Sequence, residues 1–250
     1  MTPAVRDIAA AIRSQRVRLR GSGLRLSVVG VPAVAVGLAT LVLVWADPPS
    51  GSEGGPWAEV VQASFGLWAL FLLPLLTALV AAQVAAVEHD ARGWKHLLAL
   101  PCWKGAHMVS AWVAVAGSTA LATAALTVGV AVAGVAVSAL RPELGMSTVP
   151  VLPLARAAGL VYLCSLPLAG GHLWLSVRWP GIGVGLGVAI GGVLSNVVLL
   201  NLGAGVVTPY ALAPSALMSD RPWLAAVGVV AGALVLCAAS WHSARRDAPA

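Results

Sequence analysis

The chain has 250 residues, 59% of them hydrophobic and only 10% charged, with a formal net charge of +6. Soluble domains carry about a quarter charged residues, so this balance excludes an ordinary soluble enzyme or binding module. The positive charge is spread between apolar runs rather than gathered on one face, which argues against a nucleic-acid partner.

Residues 4–20 (AVRDIAAAIRSQRVRLR) read as a helix lying along the membrane surface. At about 100° per residue, Val5, Ile8, Ala9, Ile12 and Leu19 share one arc, with Arg6, Arg13 and Arg18 outside it. Arg16 intrudes on that arc and needs its long stem to snorkel. A disordered basic tail is the simpler alternative. Residues 1–25 thus form a basic interfacial segment, with Gly21-Ser22-Gly23 as a hinge into the membrane-embedded remainder, 26–250.

Six apolar spans follow, at 26–45, 60–86, 108–138, 154–177, 181–203 and 222–241. Each approaches or exceeds the roughly 20 apolar residues that cross a bilayer. The first is longer than the ~7–15 residue core of a signal peptide, so it reads as a retained helix. The third is longer than a bilayer needs and should tilt or project. Pro32, Pro74 and Pro167 lie within spans and are candidate kink sites.

Lysine and arginine set the orientation. With a cytosolic amino terminus, the inner segments hold Arg6, Arg13, Arg16, Arg18, Arg20, Arg25, Arg92, Lys95, Lys104, Arg178, Arg245 and Arg246. The outer side holds Arg141, Arg156 and Arg221. Twelve against three is a positive-inside bias that puts both termini in the cytosol.

In the fifth span Gly183, Gly187 and Gly191 stack at i+4 spacing and would admit another helix closely. Packing within the chain is the plain expectation, and a seam between two copies the sharper one. Residues 204–220 are apolar but broken by Gly205, Pro209 and Pro214. They form either a plain external loop or short pieces that re-enter the membrane under cover of protein.

Signatures of chemistry are missing. There is no GxxxxGK[ST], HExxH or GxSxG. Cys102, Cys164 and Cys237 lie in separate segments without zinc-site spacing. Gln83, His172, Ser195 and Asn196 sit near bilayer depth, but no Asp or Glu lies deep in any span. An ion-coupled transporter commonly needs such a carboxylate. His172 is the one deep titratable side chain, and a hydrogen bond to a neighbouring helix is its expected role.

The exception to this apolar monotony is a polar island, EHDARGWKHLLALPCWKGAH, running from Glu88 to His107 between spans two and three. Its His89, Asp90, His96, Cys102 and His107 match no zinc signature, and Lys95 and Lys104 would repel a cation. Residues 88–100 can continue the second span as a helix, with Trp94, Leu97 and Leu98 on one apolar face and Pro101 ending it. Trp103 and Lys104 then sit at interface level. A helix so placed, joined to two spans, is a lever.

The sequence Glu88, then Trp94-Lys95-x-Leu97-Leu98-x-Leu100-Pro101 and a following Lys104, resembles the permease subunits of ABC-2-type transporters. Within them it is most like the branch associated with lantibiotic and bacteriocin immunity or export. The layout is similar too: a surface helix, six spans, cytosolic termini and broken helix between spans five and six. Two departures are Cys102-Trp103, where small polar residues are common, and Lys104, where arginine is more usual.

The resemblance implies an all-α permease whose segment 88–107 is a coupling helix. Glu88, Asp90, Arg92, Trp94, Lys95, Leu97, Leu98, Pro101 and Lys104 would then dock on a separate ABC ATPase subunit, with Arg178-Trp179-Pro180-Gly181 as a smaller second contact. ATP and Mg would be held by that partner, leaving this chain without a cofactor and without catalysis. A second permease copy, or a related one, would complete the complex in a bacterial plasma membrane. The cargo would be a peptide, lipid or amphipathic small molecule. The rivals are a secondary transporter or accessory membrane protein without an ATPase, and an intramembrane enzyme using His89, His96 and His107.

Overall fold

The computed structural model describes residues 3–19, 23–45, 55–90, 105–144, 146, 148–203, 208–219 and 221–245. Among them the chain is all-helical, with no strand, and six helical stretches are long and apolar enough to cross a membrane. With no water in hydrocarbon to satisfy free N–H and C=O groups, each crossing segment must close its own backbone bonds.

Helix α1 is Pro3–Arg18 and α2, the first span, is Leu24–Trp45. The second span runs through α3 (Gly55–Leu67), a π turn (Trp68–Leu72) and α4 (Leu73–Asp90). The third is α5 (Gly105–Leu140), the fourth α6 (Val151–Arg178) and the fifth α7 (Ile182–Asn201). A short helix α8 (Pro209–Met218) precedes the sixth span, α9 (Trp223–Arg245). The six expected spans are all present, most with ends extended by a few residues.

The second span is the centre of the bundle. Phe65, Trp68, Leu73, Leu76 and Val80 on it are fully buried, whereas α2 and α7 bury few of their side chains. Its π turn has a local cause. The Leu73 N–H reaches back to the Trp68 carbonyl, five residues away, immediately before Pro74. A proline ring collides with the carbonyl four residues earlier and supplies no N–H, and a widened turn relieves both problems. Pro32 and Pro167 lie inside α2 and α6, which show no such interruption.

At 36 residues α5 is about 54 Å long, against ~30 Å of hydrocarbon. The excess is used for packing. Gly105, Ala106, Met108, Ser110 and Ala111 in its opening turns are buried, and α1 packs along this helix. Ala11, Gln15 and Leu19, each four residues apart, make the buried face of the amino-terminal segment.

Small residues bring the closest helices together. A Cβ on Gly228 would lie 2.5 Å from the Leu163 carbonyl oxygen, and one on Gly232 would lie 2.8 Å from the Leu166 Cβ. This glycine pair, four apart, lets α9 lie directly on the α6 backbone. Polar ties are few. Trp68 Nε1 donates to Thr123 Oγ1 at 3.3 Å, joining spans two and three. Gln83 Nε2 donates to Ser27 Oγ at 2.9 Å, joining spans one and two.

Arg141, just past α5, donates to Glu143 Oε1 at 2.9 Å and to the Val44 carbonyl at 3.4 Å. It thereby satisfies one of the open carbonyls that end α2. The Arg141 hydrogen bond holds the Glu143 carboxyl below its usual range. The contribution is present above the usual carboxylate range and lost as pH falls through the lowered value.

Candidate functional site

One end of the bundle gathers the last turns of α4, α6 and α9. His89 donates from Nε2 to the Ser176 carbonyl at 3.1 Å, a bond that needs Nε2 to carry the proton. Trp174 meets His242 edge-on with ring centres 6.0 Å apart, and meets Trp179 at 5.9 Å with the planes at 90°. The Arg178 guanidinium lies 5.7 Å from the Trp179 ring centre, within cation–π range. Beyond it Trp179, Pro180 and Gly181 are exposed, and Gly181 turns the chain at a φ of 104° that favours glycine.

The polar island joins this end. Glu88 and Asp90 belong to the final turn of α4. Arg92, Trp94, Lys95, His96, Leu97, Leu98, Pro101, Cys102 and Lys104 lie outside the described residues, as do the side chains of Glu88 and Asp90. The helix ends on either side of the island are described. On one side α4 is pinned to α6 through His89. On the other, Gly105, Ala106 and Met108 are buried from the first turn of α5. The two helices that flank the undescribed residues 91–104 are thus both tied into the bundle, α4 by a hydrogen bond and α5 by burial of its opening turn.

The glycine ridge of the fifth span behaves differently from the plain expectation. Gly183, Gly187 and Gly191 are exposed, and a Cβ on any of them would meet no atom within 4 Å. Among the described residues they pack against nothing. The glycines of α7 that do pack are Gly185, facing Ser176, and Gly192, whose added Cβ would lie 2.3 Å from the Tyr210 ring. The i+4 spacing is present, but among the described residues it faces no other helix of this chain.

Sequence patterning gave no hint of Tyr210 itself. Its hydroxyl lies 3.0 Å from His172 Nε2 on α6 and 3.3 Å from the Val188 carbonyl on α7. Its own carbonyl accepts from Asn196 Nδ2 at 3.2 Å. The single phenol proton serves one acceptor; donated to Val188, it leaves His172 Nε2–H to donate to the phenol oxygen. His172 and Asn196 are buried, the latter fully. Val188 lies six residues into α7, about 9 Å along its axis. Tyr210 therefore hooks α8 onto α6 and α7 well inside the bundle. At ten residues α8 is about 15 Å long and cannot cross a bilayer. Ala211 through Ala216 are all buried, so its backbone is covered by protein.

Comparison with known proteins adds the following. A family model described as ABC-2 family transporter protein matches residues 17–212. The matched stretch takes in the polar island, the glycine ridge of α7 and the Tyr210 hook. No curated protein matches the chain significantly.

Proposed function

This chain belongs to the ABC-2 family of transporter proteins, and from that premise we propose that it is the membrane subunit of an ATP-driven exporter or immunity transporter. The observation that carries the proposal is the polar island held between two anchored helices. Segment 88–107 is the coupling helix in this reading, with Glu88, Asp90, Arg92, Trp94, Lys95, Leu97, Leu98, Pro101 and Lys104 facing a separate ABC ATPase. The exposed Trp179–Gly181 turn lies at the same end of the bundle and offers a second, smaller contact. ATP and Mg belong to that partner, and this chain moves cargo without catalysing a reaction.

The excess of Lys and Arg on the α1 side supports a cytosolic position for that end and for both termini, in a bacterial plasma membrane. Segment 204–220, with α8 covered by protein, then re-enters from the outer side. The apolar interior, without a deep carboxylate, suits a peptide, lipid or amphipathic small molecule, including a lantibiotic-like peptide. ATP closes the ATPase pair, the island moves, and spans one, two and five reorient. In proteoliposomes holding the chain and its ATPase, efflux should stop on ATP depletion while an ion gradient is maintained. Efflux that persists on the gradient alone would favour a secondary transporter.

The exposed ridge of Gly183, Gly187 and Gly191 is the proposed seam with a second permease copy. Open space beside these glycines is what a closely approaching helix requires. Gly187→Leu should leave the single chain folded and weaken pairing about tenfold, a change of ~1.4 kcal/mol. Fluorescence energy transfer between labelled copies in bilayers measures this, and undiminished transfer would place the seam elsewhere.

A further inference from the structure

Between α1, the start of α2 and the first half of α5 lies a cavity of about 470 Å³. This is within the range of small-molecule sites, ~300–1,000 Å³. Its walls are Ile12, Gln15 and Leu19 from the amino-terminal segment, Leu24 and Arg25 from α2, and α5 residues between Ser110 and Leu121.

Two features specify an occupant. Gln15 is only 4% exposed and its Nε2 is buried without a hydrogen-bond partner. A buried amide donor left unmatched is costly, so this group calls for an acceptor. Arg25 adds an exposed guanidinium, and among the described residues no carboxylate lines the cavity. The remaining wall is apolar in effect, because Ser110 and Ser118 spend their protons on the His107 and Ala114 carbonyls of their own helix. Gly117 has open space where a Cβ would be, which leaves the wall concave.

Length supplies the rest. From Ser110 to Leu121 is about 16 Å along α5, close to one leaflet's half of a ~30 Å hydrocarbon core. We propose that this groove binds one anionic phospholipid from the leaflet on which α1 lies. Its phosphate sits by Arg25 and Gln15, and an acyl chain runs along Val113, Gly117 and Leu121. Free phosphate would match the donors but leave the apolar length empty, so the lipid is the better fit. Such a lipid would fasten the surface helix to the third span, next to the island. The site stands whether or not an ATPase partner exists, since lipid retention is read on this chain alone.

The full chain, purified in detergent, is equilibrated with vesicles of equal parts phosphatidylglycerol and phosphatidylcholine and repurified. Retained lipid is then counted by mass spectrometry. About one phosphatidylglycerol per chain should remain, in clear excess over phosphatidylcholine. Gly117→Trp fills the groove from an unobstructed position and should remove the retained lipid. Arg25→Gln should lower the preference for the anionic lipid about fivefold, the effect of one cationic side chain at a membrane surface. Arg25 is exposed, so that variant decides the matter even if Gly117→Trp does not fold. Equal retention of the two lipids, unchanged retention in both variants, or displacement by inorganic phosphate alone would overturn the proposal.

Discussion

Gly228→Val is expected to lower the thermal midpoint of the purified chain by about 2–12 °C. The reason is the contact of α9 with α6. A Cβ at Gly228 would lie 2.5 Å from the Leu163 carbonyl oxygen and 2.7 Å from the Cys164 Cα. These are backbone atoms, which cannot rotate away as a side chain can, so the helices must separate along their shared length. Overpacking of this kind costs about 1–3 kcal/mol, and in chains of this size each kcal/mol moves the midpoint by roughly 2–4 °C. The losses are spread over the contact, including Leu166 against Gly232 and Val235 against Gly170. Gly37→Val on α2 is the matching control, since Gly37 is exposed and its Cβ would meet nothing within 4 Å. Thermal unfolding followed by size-exclusion chromatography compares the two. Equal midpoints would show that the α6–α9 contact does not depend on glycine.

Trp94→Glu is expected to uncouple transport from ATP hydrolysis while leaving the six-span fold intact. In the proposed complex Trp94 is the large apolar side chain of the docking surface, and tryptophan is among the residues that dominate interface energies. Loss of an interface anchor worth ~2 kcal/mol weakens binding roughly 30-fold, and an acid in its place adds a desolvation cost. Lys95→Glu should act in the same direction by reversing a charge. His107→Ala should have little effect on transport, because a lever does not depend on imidazole chemistry. A fall in transport after His107→Ala comparable to that of Trp94→Glu would instead favour the histidine-based enzyme. The readout is ATP-dependent efflux alongside the thermal midpoint, so loss of coupling is separated from loss of fold.

The fold was legible wherever it depended on hydrophobic length. Bilayer thickness imposes one number on every crossing helix, and 26–45 or 154–177 can be read off an apolar run without knowing what lies beside it. Neighbours are another matter. Gly183-x-x-x-Gly187 and Gly228-x-x-x-Gly232 have the same spacing, yet among the described residues only the second meets a helix of this chain. Nothing local distinguishes them, because the difference lies in which helix stands opposite. Tyr210 and His172 are 38 residues apart and meet only because α8 folds back between α6 and α7. The deep histidine was visible; its partner was not. The π turn before Pro74 was half legible, since proline marks the place but not how the helix adjusts. The excess length of the third span was plain, while its use as a bed for α1 required the packed structure. The island stood out by composition, and its role rests on chemistry that lies outside the described residues.

The most direct test of the central claim is whether the chain carries a P-loop ATPase with it. Tagged chain and its Trp94→Glu variant are purified in parallel from native membranes under mild detergent, and bound ATPase is quantified by mass spectrometry against the permease. The result expected is a stable ATPase partner, near one per permease chain, on the unaltered protein, and its loss from the variant. Absence of any ATPase from the unaltered protein, or equal recovery with Trp94→Glu, would contradict the coupling role assigned to the island.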